Sequence, residues 1–230
     1  MPMACILQLE TSTKQCSVAL SIDGKCFHSR VLNSLGFSHS EKLHLFINEV
    51  LEEAGLKPKD INAVAVSKGP GSYTGLRIGV AAAKGLCYAL DIPLIALNSL
   101  EIMIQPFDMK EYDFIIPMLD ARRMEVYTAL FDCQKNWKQE TSAVVLTEAT
   151  YLDIVGDKRC LLIGDGVLKF QELKPRINAT YLEDTHYPNA FDMTAMAHTR
   201  YGNKSFESLA YFEPFYLKDF QVTPPKPRKD

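Results

Sequence analysis

Apolar residues in the first third of the chain come in short blocks separated by turn signals. ACILQLE (4–10) is an apolar run ending in a carboxylate, and CSVALSI (16–22) is rich in strand-favouring residues. KCFHSRVL (25–32) follows the pair Asp23-Gly24. Both turn positions tolerate positive φ, so the three blocks predict a three-strand meander. The spacing then changes. Leu43, Phe46, Ile47, Val50, Leu51 and Ala54 form one apolar stripe at helical period. Ser38 with Glu41 reads as the capping box that starts this helix, and Gly55 as its left-handed stop. AVAVS (63–67) predicts a buried strand. KGPGSYTG opens a helix running to about Leu90, and IPLIAL (92–97) predicts another strand.

The second half repeats the opening. FIIPMLD (114–120) ends in a carboxylate as CILQLE does, and EVYTALF (125–131) follows. In one register Ile6 pairs with Ile116, Leu9 with Leu119, Glu10 with Asp120, Ala19 with Ala129 and Leu20 with Leu130. Five matches including the carboxylate point to an internal duplication. Further strands are expected at 143–146, 160–166 and 179–182, and helices near 147–155, 167–173 and 190–201. Residues 219–230 are proline-rich and basic and read as a flexible tail. Two halves that each open on a carboxylate-ended hairpin suggest an α/β, actin-like (ASKHA) architecture of two ribonuclease-H-like mixed-sheet halves. The expected division is 1–103, 104–218 and the tail.

Composition narrows the function. The chain has 230 residues, 47% hydrophobic and 23% charged, enough to bury a core without a staple. A net charge of −3 does not suggest a protein that grips nucleic-acid phosphates, so a role near RNA would work through a partner or a local patch. The six cysteines form no C-x-x-C pair, and several lie in apolar runs, so they read as buried thiols of a reducing compartment. The opening residues lack a basic n-region, and no stretch approaches the ~20 apolar residues of a membrane span. A cytoplasmic protein is expected.

Candidate chemistry is sparse. HSEKLH (39–44) holds two histidines and a glutamate. Residues five apart on a helix are turned by about 500°, leaving His39 and His44 some 140° apart. They cannot chelate one ion as the four-apart pair of H-E-x-x-H does. GPGSYTGLRIG (69–79) is neither a Walker A loop nor G-x-G-x-x-G. It follows a strand and opens a helix, so Gly69, Gly71 and Ser72 could cradle an anion. Equally, the glycines could serve close packing, and the sequence leaves both readings open. Gly164 and Gly166 sit at a second strand-to-helix turn that could lie near an adenine or phosphate in an actin-like cleft. The strand-end Glu10 and Asp120 could flank a metal–nucleotide complex or equally bond nearby backbone. Glu10, Thr11, Gly69, Gly71, Ser72, Gly164 and Gly166 are the candidate nucleotide-binding residues. Gly75, Gly79 and Ala83 form a small-residue face. Arg77, Val80, Ala81, Lys84 and Tyr88 form a mixed face suited to a protein interface. The first helix offers Glu41, Leu45, Asn48 and Glu52 opposite it. No nucleophile elbow or catalytic triad context is present.

LQLETSTKQCSVAL, HSEKL, INAVAVSKGPGSYTGLRIGVAAAKGL, PLIALNSLE, LDARRMEVYTALF and EPFYL together resemble the TsaB/YeaZ family. The resemblance runs along nearly the whole chain, and GPGSYTGLRIG and DARRMEVY are its most specific parts. It implies a catalytically inactive relative of TsaD, which transfers threonylcarbamoyl to A37 of tRNA and holds a metal with an H-x-x-x-H pair. Here four residues separate His39 from His44. The family usually has Asp-Thr at the first turn, where this chain has Glu10-Thr11.

The resemblance implies a non-catalytic subunit for N6-threonylcarbamoyladenosine (t6A) formation, with no catalytic residue and no metal. Its expected partners are a TsaD-like transferase, a TsaE-like ATPase, a second copy of itself and tRNA only through the complex. The helices 39–54 and 75–90 would form the interface. No cofactor is expected in the chain, with ATP or ADP, if bound, at or near that interface. The alternatives are an actin-like ATPase or small-molecule kinase using Glu10, Asp120 and the glycine turns, or the protease of older labels.

Overall fold

The computed structural model describes residues 4–33 and 39–218. Strands β1 (Cys5–Glu10), β2 (Gln15–Ile22) and β3 (Lys25–Asn33) form the expected meander. Helix α1 (His39–Glu53) follows, then β4 (Ala63–Gly69), α2 (Tyr73–Leu90), β5 (Leu94–Asn98) and the short α3 (Ser99–Met103). The second half holds β6 (Phe114–Asp120), β7 (Glu125–Asp132), β8 (Trp137–Val145), α4 (Leu152–Val155), β9 (Cys160–Ile163), α5 (Val167–Glu172) and β10 (Ala179–Tyr181). A 3-10 turn, Ala190–Met193, leads into α6 (Thr194–Gly202). Ser38 and the basic tail 219–230 lie outside the described residues, so the capping box and the tail do too.

The two sheets share one topology. The first runs β3-β2-β1-β4-β5 and the second β8-β7-β6-β9-β10. In each, the opening hairpin is antiparallel and the next strands join its first member in parallel. The same order twice, in the register read from the paired carboxylates, is the actin-like arrangement of two ribonuclease-H-like halves. Parallel strands need crossover connections, which is why helices interrupt the chain after each meander.

Strand alternation sorts the first core. In β4, Val64 and Val66 face α1 and α2, joining Leu43, Phe46, Ile47, Val50 and Leu51 of the apolar stripe. Ala63 and Ala65 face the other way, against Ile95, Leu97, Ala190, Met193 and Ala197. Small alanines on that face let the closing helix lie near the sheet. The helix expected in the second half near 190–201 is therefore placed on the first sheet. The physical reason is coverage. Both α1 and α2 lie on one face, and an apolar sheet face left open would expose Ile6, Ile95 and Leu97, each fully buried here. The chain continues along the same half. Glu207 N donates to Leu94 O at 2.9 Å, and Phe215 N donates to Lys68 O at 2.7 Å.

Two second-half elements differ from the expectation. Strand β8 begins at Trp137, not near residue 143, and the helix near 147–155 shrinks to α4 with turns before it. β8 is an edge strand whose side chains alternate between half-buried and exposed over much of its length. Polar residues such as Lys138 and Glu140 are therefore tolerated in a strand, and no apolar run marks it.

Candidate functional site

The first strand-to-helix turn is built by close backbone approach. Thr11 Oγ1 donates to Gly75 O at 2.7 Å. Ser72 N donates to Ser12 O at 2.6 Å. A Cβ at Gly75 would stand 2.0 Å from Thr11 O, and one at Gly71 2.2 Å from Ser12 O. A Cβ at Gly79 would lie 2.3 Å from Thr11 Oγ1. These glycines let the start of α2 press directly on the turn after β1. Ser72 caps that helix, its Oγ accepting from Gly75 N at 3.3 Å. Glu10, Thr11, Gly71 and Ser72 are thus brought together around Ser12 and Gly75, whereas Gly69 faces Phe215 O, 2.9 Å from where its Cβ would stand. Gly164 and Gly166 form a separate, second-half contact. Their Cβ atoms would meet Met118 O at 2.3 Å and Val126 Cγ1 at 2.7 Å.

The two strand-end carboxylates occupy opposite environments. Glu10 is completely buried and accepts from Ser12 N at 2.5 Å, with its Oε2 unpartnered among the described residues. Burial pushes its carboxyl up to about 7, and hydrogen bonds at Ser12 lower it less than burial raises it. Asp120 is exposed and accepts from Lys169 Nζ at 2.7 Å and from Arg122 N at 2.6 Å. Beside the turn after β1, Lys14 Nζ lies 5.1 Å from the centre of the Tyr187 ring.

A pH prediction follows from Glu10. Between about pH 4.5 and 7 the folded protein holds a proton there that the unfolded chain releases, so stability falls as pH rises through that window. Glu10→Gln removes this fall. Comparing urea unfolding of the two proteins at pH 5 and pH 8, the variant should gain about 2 kcal/mol relative to wild type at the higher pH. An unchanged difference would show that Glu10 ionises normally in the fold.

Helices α1 and α2 lie side by side over the first sheet, and their outer faces stay open. On α1, Glu41, Asn48 and Glu52 are exposed and Leu45 is 44% exposed. On α2, Arg77, Ala81, Gly85 and Tyr88 are exposed, Tyr88 at 83%. Nothing lies within 4 Å of where a Cβ on Gly85 would stand. Two residues expected on this face do other work. Val80 is only 5% exposed and belongs to the core with Leu43 and Val50, because its position turns toward the sheet. Lys84 is half-buried and donates from Nζ to Phe212 O at 2.9 Å, tying the C-terminal segment to α2. The sequence reading missed Gly85. Its spacing of four from Ala81, without a partner inside the fold, was the available signal.

The family described as "TsaD: tRNA N6-adenosine threonylcarbamoyltransferase" matches residues 36–172. The Haemophilus influenzae protein named tRNA threonylcarbamoyladenosine biosynthesis protein TsaB is 30% identical, over 93% of each chain. This chain belongs to the TsaB family. The Escherichia coli protein of the same name is 29% identical over 93% of this chain and 94% of its own. The structure of YeaZ from Pseudomonas aeruginosa superposes with a TM-score of 0.79 at 27% identity, covering 94% of this chain and all of that one.

Within this TsaB-family fold the two histidines of HSEKLH diverge as their spacing requires. His39 is 9% exposed, whereas His44 is on the outer surface of α1. Among the described residues, no three His, Cys, Asp or Glu side chains are grouped as metal ligands. The described cysteines are unpaired, and four of them are buried. No helix among the described residues is long and apolar enough to cross a membrane.

Proposed function

We propose that this TsaB-family protein is a non-catalytic subunit in t6A formation that binds and activates a TsaD-type transferase. The observation that carries the reading is the exposed stripe of Ala81 and Gly85 on α2, flanked by Arg77 and Tyr88, with Leu45 exposed on the neighbouring α1. Small residues let a partner's backbone come close, while an aromatic and an arginine at the edges supply anchors of the kind that dominate interfaces. The relatives named above carry the t6A pathway in their names, and the matching family is that of the transferase itself.

The reading without catalysis is supported by the fate of the candidate site. One strand-end carboxylate is sealed in the core and the other is engaged by Lys169. The glycines of both turns serve close approach of the chain's own backbone, a Cβ on Gly71 or Gly164 meeting Ser12 O or Met118 O. No cofactor is held by the chain alone in this reading, and ATP or ADP, if bound, lies at or near the partner interface. A TsaE-like ATPase joins the pair, tRNA is met only through the complex, and the same face closes a homodimer when the transferase is absent. Size-exclusion chromatography of this protein mixed with its cognate TsaD-type transferase tests the pairing. A co-eluting complex is expected, and separate elution at micromolar concentration would contradict it.

A further inference from the structure

A cavity of about 320 Å³ lies between the two halves, where the end of β5 meets β8. That volume falls at the small end of the ~300–1,000 Å³ typical of small-molecule sites. Asn98 Nδ2 donates to Thr141 Oγ1 at 2.9 Å across the junction, so the two sheet edges are held together there. Two cations, Lys68 and Arg200, two carboxylates, Glu101 and Glu140, and two aromatic rings, Trp137 and Phe215, line the space. It adjoins the first glycine turn through Lys68 and Phe215, and none of the outer-face residues of α1 and α2 line it.

The charges around it are balanced in number but poorly paired. Arg200 and Glu101 stand 3.9 Å apart, too far for a direct hydrogen bond, so the guanidinium keeps donors to offer. Among the described residues, neither Lys68 nor Glu140 has an ion-pair partner within 4.0 Å. Burial raises the Glu101 carboxyl above its ordinary range; Arg200 and Lys68 lower it, and the nearby charge of Glu140 raises it again. Glu101 and Glu140 both line the cavity and offer carboxylate oxygens to an ammonium group. The two cations are equally suited to a carboxylate.

A simple anion entering this cavity would meet Glu101 and Glu140, and a simple cation would meet Lys68 and Arg200. A ligand carrying both charges on groups attached to one carbon can meet all four charged residues. We propose that this cavity binds a free α-amino acid with an apolar side chain. Its carboxylate pairs with Arg200 and Lys68, its ammonium with Glu101 and Glu140, and its side chain packs on Trp137 and Phe215. The volume suits a single amino acid. The aromatic walls favour an apolar side chain and add a cation–π contribution to ammonium binding.

Trp137 is the only tryptophan in the chain, so its fluorescence reports on this cavity directly. The test is a titration of the full protein with the free amino acids, their carboxyl amides and their N-acetyl derivatives. At least one apolar amino acid should change Trp137 emission saturably below about 10 mM. Its amide and its N-acetyl form should each bind about tenfold more weakly, as loss of one charge-assisted contact implies. Arg200→Gln should weaken binding by a similar factor. So should Glu140→Gln, whose exposed position leaves the fold intact. The proposal is overturned if no amino acid changes the emission saturably, if the amide and N-acetyl forms bind as well as the parent, or if Glu140→Gln leaves binding unaltered.

Discussion

Gly75→Ala is expected to destabilise the protein by about 3–5 kcal/mol, although a lone methyl group is all it adds. Alanine is the better helix former by about 1 kcal/mol, so propensity alone predicts the opposite sign. Packing decides the outcome. The new Cβ would stand 2.0 Å from Thr11 O, a backbone atom that cannot swing aside. Relief requires α2 to lift from the turn after β1, breaking the Thr11 hydrogen bond to Gly75 O and the Ser72 bond to Ser12 O. Gly85→Ala, on the same helix, has open space around it and should be neutral or stabilising by up to about 1 kcal/mol. Urea unfolding of both variants beside wild type checks the pair. Equal stability of Gly75→Ala and wild type would mean that the turn and helix are not in this contact.

The second large effect concerns the outer face of α2. Gly85→Arg or Ala81→Arg should weaken binding of a TsaD-type transferase by about a hundredfold or more, with the fold unchanged. Arginine is a good helix former, and both positions face outward, so neither change threatens the core. What it does is hold a partner's backbone away from α2. Tyr88→Asp should act in the same direction, by removing an 83% exposed ring and introducing a charge. Calorimetric titration with the transferase, with circular dichroism as the control for folding, reads this out. Wild-type affinity in both arginine variants would move the interface elsewhere.

The two glycine predictions have opposite signs on one helix, and that contrast shows where sequence reasoning stops. The apolar stripe of α1, the AVAVS strand and the Asp23-Gly24 turn were all legible, because each is a local pattern of period or turn chemistry. The duplication was legible because two strand-end carboxylates fell in one register, and the sheets share one strand order. Gly75 and Gly79 could be marked as sites of close approach. That the neighbour is the Thr11 turn, 64 residues away, is a tertiary fact with no local trace.

Other differences have similar causes. Val80 reads as part of a mixed outer face until the tilt of α2 on the sheet is known. Lys84 reads as a free cation until the C-terminal segment is seen to return to it. The helix near 190–201 reads as second-half because it follows second-half strands, and only the uncovered face of the first sheet draws it back. α3 holds five residues, too few for a helical period to show. The cavity between β5 and β8 was invisible for the same reason: its charged and aromatic walls come from residues scattered between Lys68 and Phe215.

The most direct test of the account is t6A formation in a reconstituted mixture of the cognate TsaD-type transferase, TsaE-type ATPase and adenylate-forming enzyme, with and without this protein. Omission is expected to abolish the product, and this chain alone is expected to turn over no ATP. Undiminished t6A formation without it would contradict the subunit reading.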